Sequence, residues 1–323
     1  MESIYIFSSG ELKRKDNSLV LITESGEKKH IPVENVDDIK VFGEITMNKR
    51  LLEFLTKKEI LLHFFNYHGY YIGTYYPRES NSTGTTFVRQ VQHYLDPRKR
   101  LEIASKIVYG ASKNMLSFLK SHKAKEKIEN ISALIPSIKN ANSIQALMGI
   151  EGNIRELYYS SFDEIIKDGN FHIGKREKRP PTNYMNTLIS FGNALLYTTT
   201  LTEIYKTHLD PRVGFLHESN QRRFSLHLDI SEIFKPIIVD RVIFRLINRK
   251  QIKPGHFSKI TGGLKLTQAG KMIFSKEYQK RLSETKHHER LKRKVSYKTL
   301  IRLESYKIEK HILSMEDYTP YME

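Results

Sequence analysis

The first 78 residues alternate apolar and polar positions in short runs, and this period of two is typical of β-strands. Gly26 and Gly69 lie between runs, where hairpin turns need a positive φ. One stretch, residues 51–55, instead places its apolar positions on one helical face, and Asn48 can cap its start. The predicted strands are residues 4–7, 18–23, 29–33, 38–42, 60–65 and 70–75.

A polar stretch without periodicity, residues 79–86, follows and indicates a linker. From residue 87 onward, apolar positions recur at i, i+3 and i+4 with lysines and arginines between them, as in amphipathic helices. Asp96-Pro97 divides the first two helices, and Pro136 divides two shorter ones within residues 121–143. Further helices are predicted over residues 145–159, 186–205, 236–252 and 266–282, and residues 257–263 form a glycine-containing turn.

These patterns predict an α+β protein in which the two kinds of element are separated along the chain. Residues 1–78 form a small N-terminal β domain, residues 79–86 a linker, and residues 87–323 a larger all-α domain. With 323 residues and a hydrophobic content of 39%, the chain is long enough to bury a sizeable core.

Charge narrows the choice of partner. Lysine and arginine number 53 against 36 acidic residues, so the formal net charge is +17. Such an excess favours a polyanionic partner through counterion release and long-range steering, and nucleic acid is the first candidate. A membrane is not expected as a partner, because the sequence has no lipidation signal, no signal-peptide pattern and no apolar run near the ~20 residues that cross a bilayer.

The chain contains no cysteine. Disulfides, thiolate metal sites, iron–sulfur clusters and cysteine nucleophiles are therefore excluded, and any metal must be held by His, Asp or Glu. The composition predicts a cytosolic protein.

One stretch brings three candidate ligands together. His217 follows a turn marked by Asp210-Pro211 and Gly214, and the next helix carries Asp229 and Glu232 one turn apart. Imidazole nitrogen and carboxylate oxygen suit Mn²⁺ or Mg²⁺, and paired acids repel unless a cation or base lies between them. Histidines and paired acids are also common on ordinary surfaces, so this stretch alone leaves both interpretations open.

A second candidate lies in the helix over residues 145–159, where Glu151 stands between Gly149 and Gly152. Each glycine weakens a helix by up to ~1 kcal/mol. Either something approaches Glu151 closely, or the helix packs against another backbone.

Two basic segments are candidates for phosphate contact: the proline-stopped loop from residue 175 and the run from residue 286. The alternative is that they are solvated faces. The predicted nucleic-acid-binding residues are Lys175, Arg176, Lys178, Arg179, Arg222, Arg223, Arg290, Lys292, Arg293 and Lys294.

A series of short motifs runs through most of the chain in a fixed order. It comprises Arg89-Gln90, Asp96 with residues 98–101, Lys113-Asn114, residues 149–152 with Arg155 and Tyr158, residues 179–181 with Asn186, residues 190–192, Asp210-Pro211, residues 214–217, and Asp229 with Glu232, Phe234, Pro236 and Asp240. Together they resemble the CRISPR-associated integrase family, the metal-dependent DNA endonuclease subunit that inserts new spacers into a CRISPR array.

The resemblance implies a small β domain followed by a helical catalytic domain, and metal ligands at Glu151, His217 and Glu232. Asp229 is then either a further ligand or a residue that orients one, and it belongs to the candidate catalytic set. The expected cofactor is Mg²⁺ or Mn²⁺. Asn153, Ile154 and Asn193 depart from the residues usual in the family, which concerns local packing and not the ligands.

The resemblance also implies a reaction and partners. The expected reaction is in-line transesterification at phosphodiester bonds of double-stranded DNA, between foreign fragments and the CRISPR repeat, with hydrolysis as its water-attack version. Expected partners are a second copy of the chain, contacted through the β domain, and a small partner subunit with a nuclease fold. Two alternatives remain: a catalytically inactive DNA-binding scaffold of the same assembly, and an RNA-processing enzyme.

Overall fold

The structure is a computed structural model that describes residues 2–78, 83–178, 180–218 and 224–323. Its N-terminal part contains two four-stranded sheets, with the strand orders β4-β3-β2-β6 and β1-β5-β7-β8. The strands are β1 (Glu2–Ile6), β2 (Gly10–Lys15), β3 (Ser18–Thr23), β4 (Lys28–Pro32), β5 (Val36–Val41), β6 (Ile45–Thr46), β7 (Leu61–Phe65) and β8 (Tyr71–Tyr75).

All six predicted strands are present, with ends that differ by at most two residues. Helix α1 (Lys49–Lys57) fills the predicted insert, and the Asn48 side chain caps it by accepting from Leu51 N. Gly26 and Gly69 have φ of 81° and 85°, as their turns require. Strands β2 and β6 were not predicted. In β2 only one residue is buried, so its charged outer face hides the period-two signal.

The sheet β1-β5-β7-β8 forms the junction with the rest of the chain. Its central strands β5 and β7 pair in parallel and are buried along most of their length. Phe42, which follows β5, packs against Phe191 with ring centroids 5.8 Å apart. His63 in β7 lies 2.9 Å from the hydroxyl of Thr202. The β domain therefore contacts the helical part through both apolar packing and hydrogen bonds.

The helical part confirms the predicted class, a β region followed by a mostly helical one. Asp96 separates α2 from α3 and caps α3 by accepting from Arg98 N and Lys99 N. The helices are α2 (Gly84–Leu95), α3 (Pro97–Ser121), α4 (Lys125–Lys139), α5 (Ile144–Ser160), α6 (Phe162–Ile165), α7 (Tyr184–Tyr205), α8 (Leu226–Phe234), α9 (Arg241–Asn248), α10 (Gln268–Ser283) and α11 (Tyr297–Ile312).

Three predicted boundaries in this part are wrong. Helix α2 begins at Gly84, so residues 84–86 are not linker, and residues 79–82 lie outside the described ranges. Helix α4 continues through Pro136, because Ile131 and Ile138 are buried on both sides of it and packing outweighs one lost hydrogen bond. The helix predicted over residues 236–252 is instead a π-helix, Lys235–Asp240, followed by α9.

Two hairpins interrupt the helical part, which was predicted to be entirely helical. The predicted turn at residues 257–263 is a hairpin of β9 (Phe257–Ile260) and β10 (Gly263–Leu266). The basic run from residue 286 begins with a second hairpin, β11 (Thr285–His288) and β12 (Arg293–Ser296), before α11. Strand β11 has no buried residue and β12 has one, so neither shows the alternation of buried apolar and exposed polar positions that identifies a strand.

Helix α7 lies at the centre of the larger core and is buried along nearly its whole length. Helices α8 and α11 pack against it, so the segment that carries Asp229 and Glu232 rests on the core. Among the described residues, no helix is long and apolar enough to cross a membrane.

Candidate metal centre

Helix α5 presents Glu151 and Arg155 one turn apart on the same face. A Cβ at Gly149 or Gly152 would meet no atom within 4 Å, so neither glycine serves to bring another backbone close. The interpretation of this helix as packed backbone to backbone is therefore wrong. The space beside Glu151 is open, and its side chain is 17% exposed.

Asp229 in α8 organises the loop that carries His217. Its Oδ2 accepts from Phe215 N at 2.5 Å and Leu216 N at 3.0 Å, and its Oδ1 accepts from His217 N at 3.0 Å. The same Oδ1 lies 2.7 Å from Nδ1 of the His217 ring. Both oxygens of this buried carboxylate are therefore engaged, and the opposite ring nitrogen, Nε2, is left for another partner.

Gly214 explains why this loop can close around a carboxylate. A Cβ there would lie 2.8 Å from Asp229 Oδ2 and 2.9 Å from the Ser225 hydroxyl. The Gly214 N–H itself donates to Ser225 Oγ at 2.8 Å. Glycine is thus required at this position by close approach and not by an unusual φ.

Glu232 lies one turn after Asp229, and its side chain is 3% exposed. Its Oε1 is 4.0 Å from His217 Nε2, and Lys235 Nζ donates to the same oxygen at 2.6 Å. Arg155 donates to Glu232 Oε2 at 2.5 Å and pairs with Glu151 as well. The fold therefore brings Glu151, His217 and Glu232 to one cleft, with Arg155 between the two glutamates.

The charges in the cleft keep Glu232 ionised. Burial alone would raise the pKa of this carboxyl, but Arg155, Lys235 and His217 hold it well below its usual range. Burial would likewise lower the pKa of Lys235, and the Glu232 carboxylate raises it instead. Partial burial of its ammonium group and the neighbouring Arg155, Lys235 and Arg176 lower the pKa of Lys178. The crowding of cations favours an anion such as a phosphate here.

The donor set fits a divalent cation. Two carboxylates and an imidazole nitrogen are ligands that Mn²⁺ and Mg²⁺ accept. In the part of the chain that the structure describes, no three His, Asp or Glu side chains are grouped closely enough to enclose an ion. The Arg155 guanidinium instead bridges Glu151 and Glu232, so this pair of carboxylates already binds a cation.

The basic residues predicted to bind nucleic acid differ in their exposure and in their contacts. Arg176 donates to Asn186 Oδ1 at 3.0 Å and to Ser190 Oγ at 3.1 Å. Both partners belong to α7, so Arg176 attaches its loop to that helix. Lys175 and Lys178 are exposed, and so are Lys292, Arg293 and Lys294 in the β11–β12 hairpin. Arg290 pairs with Glu316 at 2.5 Å. Arg179, Arg222 and Arg223 lie outside the described residues.

Two cleft residues were not assigned a role from the sequence: Arg155 and Lys235. Each stands at a spacing that the sequence does show, four residues after Glu151 and three after Glu232. Such pairs are usually surface ion pairs, so the spacing alone did not identify them. Their significance comes from their contacts with the predicted ligands: Lys235 is buried against Glu232, and Arg155 pairs with both glutamates.

Comparison with known proteins identifies the family of the chain. The family model of the CRISPR associated protein Cas1 matches residues 4–280. The CRISPR-associated endonuclease Cas1 of Thermotoga maritima is 53% identical over 313 residues, which is 97% of each chain. A CRISPR-associated endonuclease Cas1 of Thermodesulfovibrio yellowstonii is 52% identical and covers 99% of this chain and 98% of its own.

The fold is also similar to that of a solved structure. A CAS1 protein from Thermotoga maritima superposes with a TM-score of 0.92 at 51% sequence identity. The match covers 99% of this chain and 100% of that one. Sequence and fold thus agree along the whole length, including the β region and the helices that form the cleft.

Proposed function

Because the chain belongs to the family of the CRISPR-associated protein Cas1, we propose that Glu151, His217 and Glu232 hold a divalent metal with which this enzyme cuts and joins DNA during spacer integration. The observation that supports it most is the convergence of these side chains in one cleft, with His217 Nε2 directed at Glu232. The three come from α5, from the loop before α8 and from α8 itself.

The bound ion, Mg²⁺ or Mn²⁺, would neutralise a phosphate oxygen and stabilise the leaving 3′ oxygen. Residues of the chain orient and charge this site before an ion binds. Asp229 holds the His217 ring with Nδ1 engaged, so that Nε2 is the nitrogen offered to a ligand. Glu232 stays ionised at neutral pH because of its basic neighbours. Lys178 and Lys235 attract the phosphate groups of the substrate.

The attacking group decides the outcome of the reaction. A DNA 3′-hydroxyl would join the incoming fragment to the repeat, and water would cut the strand. The cleft is compatible with both, since Glu151, Arg155 and His217 keep side-chain exposures of 17%, 18% and 21%. We propose that joining double-stranded foreign DNA to the CRISPR repeat is the physiological reaction.

The proposed assembly contains two copies of the chain and a small partner subunit. We propose residues 1–78 for self-association: the sheet β1-β5-β7-β8 is used at the junction, while the sheet β4-β3-β2-β6 ends in an exposed strand, β4. Sedimentation equilibrium of the intact chain tests this part. A monomer at all concentrations up to ~100 µM would contradict it.

A strand-transfer assay tests the proposed chemistry. The substrate is a supercoiled plasmid carrying the repeat, incubated with short duplex DNA, with and without the partner subunit, in Mn²⁺, Mg²⁺ or chelator. We expect joining in metal, none in chelator, and none for Glu151→Gln. Glu156→Gln is the matched control, since Glu156 is an exposed glutamate of the same helix.

The same assay separates the alternatives. Intact DNA binding without joining in any metal would favour the inactive scaffold. Processing of a matched RNA duplex instead of DNA would favour the RNA enzyme, because phosphate contacts alone do not distinguish the sugar.

Asp229 has a separate test. Since its oxygens are engaged by the loop, we expect Asp229→Asn to weaken metal binding by about 10- to 100-fold through a misplaced His217. Glu232→Gln removes a ligand and should be more severe. Titration with Mn²⁺, followed by electron paramagnetic resonance, compares the two. Equal losses would make Asp229 a ligand.

A further inference from the structure

Helix α8 carries Glu232, but the chain does not continue from it as a regular α-helix. Residues Lys235–Asp240 form a π-helix, and it begins where Pro236 has no N–H to donate to the Glu232 carbonyl. A π turn inserts an extra residue into the helical ladder. Backbone carbonyls near the insertion then need donors from elsewhere in the protein.

Two buried side chains supply these donors. Asn114 of α3 donates from Nδ2 to the carbonyl of Ile233, the residue after Glu232, at 3.0 Å. Arg281 of α10 donates to the carbonyl of Ile237 from Nε at 3.0 Å and from a terminal nitrogen at 2.8 Å. The backbone that follows Glu232 is therefore held from two sides.

One of these donors, Asn114, is in turn bound by a single segment, residues 318–323, which we call the C-terminal strap. Asn114 Nδ2 also donates to Tyr321 O at 2.9 Å, and Glu323 N donates to Asn114 Oδ1 at 2.8 Å. Asn114 is 1% exposed, and its side-chain amide makes three hydrogen bonds, two of them to the strap. These bonds use both N–H groups and one of the two oxygen lone pairs.

The strap also contacts the turn directly. The ring of Tyr321 is stacked on that of Phe234 with centroids 5.8 Å apart and planes at 10°. The carboxylate of Glu323 lies 4.0 Å from Arg281 and 3.2 Å from Arg241, the first residue of α9. Residues on both sides of the π-helix are therefore fixed by the strap.

The strap is packed closely against the helices. A Cβ at Gly110 of α3 would lie 2.5 Å from Pro320 Cβ, so the glycine makes room for the proline. Tyr318 is 1% exposed and donates from its hydroxyl to the buried Glu304 at 2.7 Å, and Tyr321 N donates to the same carboxylate at 3.1 Å.

We propose that the C-terminal strap is a positioning element of the metal centre: it fixes the π turn through Asn114 and Phe234, and thereby the direction of the Glu232 carboxylate. This inference rests on the proposed function, because it assumes that Glu232 is a ligand. Loss of the strap should loosen the Glu232 backbone while leaving the DNA-binding surface intact.

The experiment compares the full chain with a chain that stops after Asp317. Mn²⁺ affinity is measured by electron paramagnetic resonance and DNA affinity in chelator by fluorescence anisotropy. We expect Mn²⁺ binding to weaken about 10-fold, the size of effect seen when groups that orient metal ligands are removed. DNA affinity should stay within about 2-fold. A synthetic peptide with the sequence of residues 318–323 should restore part of the Mn²⁺ affinity.

Point variants decide the matter if the shortened chain does not fold. Tyr321→Ala removes the ring stacked on Phe234, and Glu323→Gln removes the negative charge that pairs with Arg241 and Arg281. Both should weaken Mn²⁺ binding several-fold. Met322→Ala is the matched control, since Met322 belongs to the strap but is 43% exposed. Wild-type Mn²⁺ affinity in both test variants would overturn the inference, as would wild-type affinity in a folded chain without the strap.

The Mn²⁺ measurements distinguish failure of the proposed function from failure of the strap inference. If the full chain binds Mn²⁺ no more tightly than His217→Ala, the metal centre itself is wrong. If the full chain binds more tightly than His217→Ala and removal of the strap changes nothing, the centre stands and the strap has no positioning role.

Discussion

Two clusters of buried charge in this protein are built differently. At the junction of the β domain and the helices, Asp38 and Lys40 pair at 2.5 Å with side chains that are 0% exposed. Nearby, Lys298 lies 2.7 Å from Asp37, with side-chain exposures of 8% and 2%. In the cleft around Glu232, by contrast, one edge is open to solvent.

The difference indicates what each cluster is for. A charge sealed from water depends on its partner, because nothing else can compensate the lost hydration. In the cleft, Glu232 has both Arg155 and Lys235, and the exposed edge admits water or another ion. The charges of the junction cluster therefore depend on one another in the folded state, whereas an ion that enters the open edge of the cleft could replace a partner there.

The largest expected effect is on stability. Lys40→Met leaves Asp38 without its closest cation, and we expect the free energy of unfolding to fall by about 3–5 kcal/mol. Lys235→Met is the matched change in the cleft, where Glu232 retains Arg155, and it should cost about 1 kcal/mol. Urea unfolding of both variants measures the difference. Equal losses would remove the distinction between the two clusters.

The junction should also respond to pH through His63. Burial, together with Lys40, lowers the pKa of His63 to about 3, against the opposing effect of Asp38. Between pH 6.5 and 3 the unfolded chain therefore binds a proton that the folded chain does not. Stability falls as pH falls across this window, by up to about 1.4 kcal/mol per pH unit.

Urea unfolding at pH 7 and pH 5 tests this assignment. The contribution of His63 corresponds to about 2 kcal/mol at pH 5. His63→Gln should flatten the difference between the two pH values, whereas His30→Gln, at an exposed position in β4, should preserve it. A pH dependence that survives His63→Gln would place its origin elsewhere.

The comparison also shows what the sequence could predict. His217, Asp229 and Glu232 could be found because they lie close together along the chain, around a glycine-containing turn. That Glu151 joins them depends on the packing of α5 near α8, and only the family resemblance pointed to it. The π-helix at Pro236 could not be predicted, since it depends on Asn114 and Arg281, which come from other helices.

The junction cluster shows the same limit. Asp37, Asp38 and Lys40 look like the exposed polar positions of a strand, yet all three are buried. Their partners Lys206 and Lys298 come from distant parts of the chain. A pattern of polar and apolar residues records solvent exposure only where polar residues have no such partners.

Substitution of Arg155 should have a smaller effect, on Mn²⁺ affinity in the cleft. Because its guanidinium bridges Glu151 and Glu232, it would compete with a metal at the proposed centre for the same oxygens. We expect Arg155→Met to bind Mn²⁺ about 10-fold more tightly, or ~1.4 kcal/mol. Electron paramagnetic resonance measures this, with the exposed Arg249→Met as control. Weaker binding would mean that Arg155 supports the ligands instead of competing for them.

The smallest expected effect concerns the exposed charges of the β11–β12 hairpin. Replacing Lys292, Arg293 and Lys294 by Ala should reduce the slope of log K against log salt by up to about 0.9 per lost contact. Arg290, which pairs with Glu316, should contribute less. Fluorescence anisotropy over a salt series measures the slope. An unchanged slope would make the hairpin a solvated face.

The most direct test of the metal centre measures strand transfer and DNA binding of His217→Ala under identical conditions in Mn²⁺. We predict that both joining and cutting are lost, by about 10³-fold or more, because the imidazole ligand is absent. DNA affinity should stay within about 2-fold, since lysine and arginine contacts dominate it. Wild-type strand transfer by His217→Ala, and likewise by Glu151→Gln, would contradict the assignment of the catalyst to this cleft.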